Sequence, residues 1–180
     1  MKSESPLWFA IAVKPRYEKA VARALRGKNL EEFLPLYRED RAWSDRVKAV
    51  EFPLFTGYVF CRFGSADRFA VLSTPGVTAI LGAGAIYAPI PDDEIAAIRK
   101  VVNSRVRARP WPYIAPGQMV SIESGPLAGI RGTVLRNKGE TCVVVSVELL
   151  QRSIAAEVDR GAVQPAFVLP AMYAGRGCSA

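Results

Sequence analysis

The chain has 180 residues, half of them hydrophobic, and its 24 Lys and Arg against 17 Asp and Glu give a formal net charge of +7 at pH 7. It contains no histidine, the commonest general base and zinc ligand, and no glycine-rich phosphate loop, so the sequence predicts neither an enzyme nor a bound metal or cofactor. No apolar run reaches the length of a membrane span and residues 1–6 lack the apolar core of a signal peptide, so we expect a cytoplasmic protein with no membrane partner.

The first elements along the chain are a strand and a basic helix. Residues 7–13 form an uninterrupted apolar run, which predicts a strand in the middle of a sheet. Pro15 suits the first turn of a helix that Gly27 closes. The basic stripe of this helix consists of Lys19, Arg23 and Arg26. A stripe of this kind is usually a solvated face, and the alternative is contact with a phosphate backbone.

A long polar hairpin is predicted next. Residues 33–37 and 47–52 flank a charged stretch, which indicates two strands that project beyond the sheet. Trp43 lies in that stretch between Arg41 and Arg46. Its ring can either stack on a base or lean on the domain surface, so these three residues are candidate nucleic-acid contacts.

Residues 52–63 form the strand around which the chain is organised, because they are richer in aromatic side chains than a small core needs. Side chains alternate along a strand, so Tyr58, Phe60 and Arg62 share one face, and the intervening apolar residues form the other. A strand that is apolar on both faces is covered on both faces. The second cover is either the rest of its own domain or another protein.

The remaining elements of the first domain complete an α+β sandwich. A short helix is predicted in which Phe69 and Leu72 face inward, and residues 77–81 resume extended structure. Residues 92–102 carry the apolar stripe of a third helix. The element order β-α-β-β-β-α-β-α predicts an antiparallel sheet with three helices over residues 7–104.

A basic connection leads to a second domain. Residues 105–116 carry three arginines and three prolines, a composition typical of an extended, semi-rigid linker. Residues 117–167 hold five basic against five acidic residues and are therefore neutral. Their short strands, separated by glycine turns, predict a small five-stranded β-barrel. These strands are residues 119–123, 132–136, 141–149, 153–158 and 162–164. Residues 168–180 have no periodicity and are expected to form a flexible tail.

The motifs of both domains together resemble a known family. Residues 117–134 look like a KOW motif, and residues 8–9, 52–63 and 74–77 occur in the order typical of an NGN domain. The motif residues singled out are Gly125, Pro126, Gly129 and Gly132. An NGN domain, a proline-bearing linker and one KOW barrel are similar to the bacterial NusG family of transcription elongation factors, which includes the specialised members RfaH and UpxY.

The resemblance implies a partner for each domain. In this family the NGN domain lays an apolar groove on the clamp helices of the largest RNA polymerase subunit. The positions implied for this groove are Trp8, Ala12, Phe52, Tyr58 and Phe60. In the KOW barrel, Leu149, Leu150 and Arg152 match positions through which NusG binds a small-subunit ribosomal protein or the termination factor Rho. The candidate nucleic-acid contacts point to non-template DNA or nascent RNA, and the chain is expected to be a monomer.

Three segments relate the chain to particular family members. Residues 14–18 and 34–46 resemble the UpxY type. Ala12 stands where RfaH has a groove tyrosine, so we expect another residue, such as Trp8, to complete the groove. Residues 67–70 fall where RfaH has a threonine-rich second polymerase contact, but they contain no threonine run.

The expected function is therefore that of a non-enzymatic factor that suppresses transcriptional pausing or termination. One alternative is the housekeeping NusG role, which includes Rho-dependent termination. Another is an RNA-binding or ribosome-associated protein, because KOW barrels also occur in ribosomal proteins. The neutral charge of residues 117–167 counts against this last alternative, since nucleic-acid affinity depends on basic surface.

Overall fold

The computed structural model of the protein describes residues 5–43, 46–83, 86–104, 106–112, 119–137, 140–158 and 162–165. The helices are α1 (Glu18–Gly27), α2 (Arg68–Leu72) and α3 (Asp92–Asn103), with 3-10 turns at Ser65–Asp67 and Glu148–Leu150. The strands are β1 (Leu7–Val13), β2 (Glu31–Phe33), β3 (Leu36–Trp43), β4 (Arg46–Pro53), β5 (Tyr58–Phe63), β6 (Val77–Ile80), β7 (Gly82–Ala83), β8 (Ile86–Tyr87), β9 (Ala108–Pro112), β10 (Met119–Ile122), β11 (Arg131–Asn137), β12 (Glu140–Val147), β13 (Arg152–Glu157) and β14 (Val163–Pro165).

The first sheet is antiparallel and has the strand order β2-β5-β1-β6. Strands β3 and β4 form the predicted long hairpin as a separate sheet, and β7 and β8 form a short hairpin that was not predicted. The strand predicted over residues 33–37 is divided in two, because Pro35 has no N–H to donate to a ladder. The carbonyl of Pro35 instead accepts a 2.9 Å hydrogen bond from the backbone N–H of Leu54. The predicted mixed α/β architecture with three helices is confirmed.

Helices cover both faces of the first sheet. Helices α1 and α2 lie on one face, where their buried residues join those of the strands in one hydrophobic cluster. This cluster includes Ile11, Val21, Leu25, Val59, Phe63 and Val71. Helix α3 packs on the other face and contacts β1. Strand β5 lies between β2 and β1 and is covered on both faces, which agrees with its doubly apolar sequence.

The second sheet has six strands in the antiparallel order β14-β10-β11-β12-β13-β9. The predicted five-stranded barrel is therefore not confirmed: β9 adds a sixth strand, and the two edges do not pair with each other in the described part of the chain. Strand β9 comes from the segment predicted to be a linker, and it runs along β13 from Pro112 opposite Arg152 to Ala108 opposite Ala156. Its prolines are tolerated because β9 is an edge strand.

The two sheets share one hydrophobic core. Ile98 and Val101 of α3 belong to the same buried cluster as Val145 and Ile154 of the second sheet, and α3 contacts β12. The Lys100 ammonium at the end of α3 also donates to the backbone carbonyl of residue 128, between β10 and β11. Among the described residues, the second sheet is thus packed on the first through α3. The domain boundaries at residues 104 and 117 stay predictions.

Helix α2 does not bury the residues that were predicted to face inward. Phe69 is 82% exposed and Leu72 is 38% exposed. A helix of five residues makes little more than one turn, and here that turn directs Val71 into the core instead. The predicted inward orientation of Phe69 and Leu72 is wrong.

Two further predictions concern membrane-spanning segments and the C-terminal residues. No helix in the described ranges is both long and apolar enough to cross a membrane. The predicted flexible tail, residues 168–180, lies outside the described residues.

Replacing Gly132 by Ala is expected to destabilise the protein. A Cβ added at Gly132 would lie 2.5 Å from the carbonyl oxygen of Val144 and 2.7 Å from Cγ1 of Val143. Because the backbone of β12 cannot move away without breaking the ladder, the free energy of unfolding should fall by about 1–3 kcal/mol. Urea unfolding followed by circular dichroism measures this change.

The matched control is Gly27→Ala at the end of α1, where an added Cβ meets nothing within 4 Å. This variant should change the free energy of unfolding by less than about 1 kcal/mol. Equal effects of the two substitutions would contradict the close approach of β11 and β12.

Candidate protein-binding site

The candidate site is the face of the first sheet to which Tyr58 and Phe60 point. In the register of β5 with β1, Tyr58 is opposite Ala12, Phe60 is opposite Ala10, and Arg62 is opposite Trp8. Directly opposed residues of an antiparallel pair point to the same side. The face predicted from alternation is therefore present, and it brings together four of the five predicted groove residues.

The four residues are covered to different degrees. Phe60 is fully buried between Phe33, with ring centroids 6.1 Å apart, and Phe55, with centroids 5.4 Å apart. Trp8 is only 3% exposed, whereas Tyr58 and Ala12 are partly buried. Phe60 and Trp8 thus act as core residues in this structure, and the accessible part of the face lies at Tyr58 and Ala12.

Phe52, the fifth predicted groove residue, lies on the separate β3–β4 sheet. It is opposite Tyr37 in the hairpin register, and their ring centroids are 5.8 Å apart. The turn at residues 54–57 separates Phe52 from β5. Its part in the groove stays a prediction.

Arg99 of α3 closes one end of the face. Its guanidinium carbon is 4.8 Å from the Trp8 ring centroid and 5.1 Å from that of Phe33. The guanidinium also donates to the Glu31 carboxylate at 2.9 Å, and Glu31 lies 3.8 Å from Arg62. Arg99 was not among the predicted site residues, because it is distant in sequence from every aromatic residue that it covers.

Arg152 of the second sheet covers the other end. Its guanidinium carbon lies 5.4 Å from the Tyr58 ring centroid, and Nη1 donates a 3.2 Å hydrogen bond to the carbonyl of Thr56. Leu150 is 7% exposed within the core shared by the two sheets, and Leu149 packs against that core. The residues predicted to bind a partner of the second domain therefore meet the residues predicted to bind a partner of the first. Thr56, which supplies the acceptor, was not predicted.

The basic residues of α1 are partly neutralised. Lys19 lies 3.8 Å from the Glu51 carboxylate, and Arg26 forms an ion pair and a hydrogen bond with Glu32. Arg23 is exposed and lines a surface cavity of about 340 Å³ together with both. Arg41, Trp43 and Arg46 lie in the outer part of the β3–β4 hairpin, where the structure describes the backbone only. Their predicted nucleic-acid contacts therefore stay predictions.

Comparison with known proteins identifies the family. The sequence profile of the family described as "Transcription termination factor nusG" matches residues 6–99, just over half of the chain. The chain belongs to the NusG family. The "Transcription termination/antitermination protein NusG" of Escherichia coli strain K12 is 28% identical over 180 residues, covering 91% of this chain and 99% of the relative. The protein of the same name from Buchnera aphidicola (strain APS) is 26% identical over 175 residues, covering 88% of this chain and 95% of the relative.

A solved structure supports the fold of this NusG-family chain. The structure described as "Domain interaction in Thermotoga maritima NusG" has a TM-score of 0.52, with 19% sequence identity, and the match covers 89% of this chain and 97% of the other. The NusG assignment made from the motifs is confirmed, whereas the closer resemblance to UpxY and RfaH stays a prediction.

Three of the four KOW-motif residues of the NusG-family chain lie in the connection from β10 to β11, and Gly132 lies in β11. Gly125 and Gly129 have φ of +82° and +84°, a backbone conformation that favours glycine. Pro126 lies inside this turn, and Gly132 lies where β11 approaches β12 closely. The motif thus has a structural role in the described residues, where no cluster of three or more His, Cys, Asp and Glu is positioned to hold a metal ion.

Cys61 lies on the face of β5 that is turned away from the candidate site. Burial raises the pKa of its thiol to about 12, and the nearby carboxylates of Glu32, Asp67 and Glu31 add to this effect. The folded state therefore holds the thiol proton more tightly than the unfolded state, whose pKa is near 9. The thiol should be unreactive in the native protein at neutral pH.

The raised pKa of Cys61 predicts a loss of stability at high pH. The neutral thiol is compatible with folding below about pH 9, and the stability that it provides falls as the pH rises from about 9 towards 12. Cys61→Ala removes this titration but leaves a small cavity, so the variant should be less stable than the wild-type chain at pH 7. The stability difference should narrow between pH 9 and pH 11 in urea unfolding; a constant difference would contradict the shifted pKa.

Phe60 and Tyr58 should differ in their effect on stability, although they lie two residues apart on one face. Phe60→Ala removes a fully buried ring and should lower the free energy of unfolding by about 3–5 kcal/mol. Tyr58→Ala removes a partly buried ring and should cost about 1 kcal/mol. Urea unfolding of the two variants tests this, and a small effect of Phe60→Ala would contradict its position in the core.

Proposed function

We propose that this NusG-family chain is an antitermination and elongation factor that binds the clamp helices of the largest RNA polymerase subunit and suppresses pausing or termination. The face formed by Ala12 and Tyr58 makes this contact. The second domain recruits a small-subunit ribosomal protein or Rho through Leu149, Leu150 and Arg152. Membership of the NusG family, and relatives named transcription termination/antitermination proteins, support the proposal.

The observation that carries the proposal is the cover over Tyr58. A partly buried aromatic ring on a sheet face is contacted here by a guanidinium from a distant part of the chain, 5.4 Å from the ring centroid. The neighbouring Thr56 carbonyl accepts a hydrogen bond from the same arginine. Aromatic rings with an adjacent polar acceptor are typical anchors of protein interfaces. This face is thus chemically suited to bind a protein surface.

The distribution of charge supports a nucleic-acid contact beside the polymerase contact. Residues 1–104 hold fifteen basic against twelve acidic residues, and residues 105–116 add three arginines with no acidic residue. Non-template DNA or nascent RNA is the proposed ligand of this basic surface, with Arg23 the most available residue of α1, because Lys19 and Arg26 are paired with carboxylates. The proposed factor acts as a monomer in the cytoplasm.

The position of Arg152 over Tyr58 should weaken polymerase binding. A clamp helix that contacts Tyr58 must first displace Arg152, so the apparent dissociation constant exceeds the intrinsic one by the inverse of the fraction of molecules in which Tyr58 is free. Displacement also frees the Arg152 guanidinium for a partner of the second domain. Binding at the first domain and recruitment by the second are therefore coupled.

Tyr58→Ala and Arg152→Ala should change polymerase affinity in opposite directions. Loss of the Tyr58 ring removes an anchor and should weaken binding about tenfold or more, whereas loss of Arg152 uncovers the ring and should strengthen binding by up to about tenfold. Titration of fluorescently labelled full-length chain with purified core polymerase measures both effects. A pausing assay with the same proteins then tests the proposed activity.

The matched control is Arg131→Ala, which removes the same charge from an exposed position in the second sheet. This variant should leave polymerase affinity unchanged. Weaker binding by Arg152→Ala would contradict the cover over Tyr58. A wild-type chain that binds ribosomes or RNA but not polymerase would favour the ribosome-associated alternative.

A further inference from the structure

We propose that Glu18 is the positioning residue of the recognition face, because it holds the turn of residues 54–57 from which Tyr58 and the Thr56 carbonyl are presented. This inference rests on the proposed function and assigns a role to a residue outside the basic stripe of α1. The geometry that leads to it is the hydrogen bond between the buried Glu18 carboxylate on α1 and the backbone N–H of Gly57 in the turn.

Glu18 is buried although its neighbours in the first turn of α1 are exposed. The residue is 4% exposed, whereas Lys19 and Ala20 point to solvent. Its Oε1 accepts a 2.9 Å hydrogen bond from the backbone N–H of Gly57. A carboxylate at the start of a helix is favoured by the helix dipole, which reduces the cost of burying this charge.

Two hydrogen bonds hold the backbone of Gly57 in the turn. Its φ is +85°, a backbone conformation that favours glycine, and a Cβ built on it would meet nothing within 4 Å. Its N–H is held by Glu18, and its carbonyl accepts a 2.9 Å hydrogen bond from the N–H of Val13. These two bonds tie the turn to α1 on one side and to β1 on the other.

The other residues of the turn place the Thr56 carbonyl and the Tyr58 ring at the candidate site. Leu54 and Phe55 are 2% and 1% exposed and anchor the start of the turn in the core. Thr56 is exposed between this anchor and Gly57, and its carbonyl is the acceptor for Arg152. Tyr58 follows directly as the first residue of β5. Without the Glu18 contact, the turn would lose its hydrogen bond to α1, while the Gly57 carbonyl would still accept from Val13 and the Tyr58 N–H would still donate to the Phe55 carbonyl at 3.1 Å.

The test uses the full-length chain with Glu18→Ala, which removes the acceptor, and Glu18→Gln, which keeps an acceptor oxygen without the charge. Glu18→Ala should increase hydrogen exchange of the Gly57 amide by at least about tenfold, remove the nuclear Overhauser contact between Arg152 and Tyr58, and weaken polymerase binding about fivefold. Glu18→Gln should restore all three to within about twofold of the original chain.

The matched control is Asp93→Ala. Asp93 is also an acidic residue in the first turn of a helix, and its Oδ1 accepts a 3.0 Å hydrogen bond from a backbone N–H, but it is exposed and lies on α3. This variant should leave Gly57 exchange, the Arg152 contact and polymerase binding unchanged. Equal effects of Asp93→Ala and Glu18→Ala would overturn the inference, because they would indicate general destabilisation.

Unchanged Gly57 exchange in Glu18→Ala would also overturn the inference, and so would increased exchange that leaves both the Arg152 contact and polymerase binding intact.

Failure of the proposed function has a different signature. If the wild-type chain does not bind polymerase, the proposed function is wrong, and the positioning role is then judged by the contact between Arg152 and Tyr58 alone. Loss of that contact in Glu18→Ala with recovery in Glu18→Gln would support it.

Discussion

The structure depends on a strand that is apolar on both faces and has to be covered twice. Strand β5 lies inside the first sheet, with helices α1 and α2 over one face. Helix α3 covers only part of the other face, where Arg99 lies over Trp8 and Phe33. The end of that face at Tyr58 is left to the second sheet, which supplies Arg152. The packing of the two sheets therefore follows from the incomplete cover that α3 provides.

Local patterns were sufficient to predict most elements and insufficient where distant contacts decide. Alternation predicted the faces of β5, and glycine turns predicted strands that correspond to β10 to β14. The prolines of residues 108–112 indicated a linker, yet this segment pairs as an edge strand, because edge pairing depends on a neighbour that local composition does not reveal. The outward orientation of Phe69 has the same origin, since a five-residue helix has too little periodicity to define its buried face.

The sequence predicted which face of the strand carries the candidate site, but not how deeply each residue on that face is buried. Alternation placed Tyr58 and Phe60 on one face, and the register with β1 agrees. That Phe60 is sealed while Tyr58 is accessible depends on Phe33, Phe55 and Arg152, which approach from other elements. A sequence pattern reports which residues share a face; the degree of burial is set by residues that are distant along the chain and adjacent only after folding.

The contacts between the second sheet and the first domain differ in strength from α3 to Tyr58. This difference bears on how Tyr58 can become accessible to a partner. Beneath α3 the two sheets share buried apolar residues such as Ile98, Val101 and Ile154, whose separation would expose a large hydrophobic surface. At Tyr58 the second sheet contributes the Arg152 guanidinium over the ring and its hydrogen bond to the Thr56 carbonyl, and interactions of this kind are individually weak and exchangeable with water. Displacing Arg152 therefore costs less free energy than separating the apolar residues under α3. Such a local opening requires that the turn carrying Thr56 keeps its shape when Arg152 leaves. The hydrogen bond from Gly57 to Glu18 and that from Val13 to the Gly57 carbonyl both lie within the first domain, so they hold the turn independently of the second sheet.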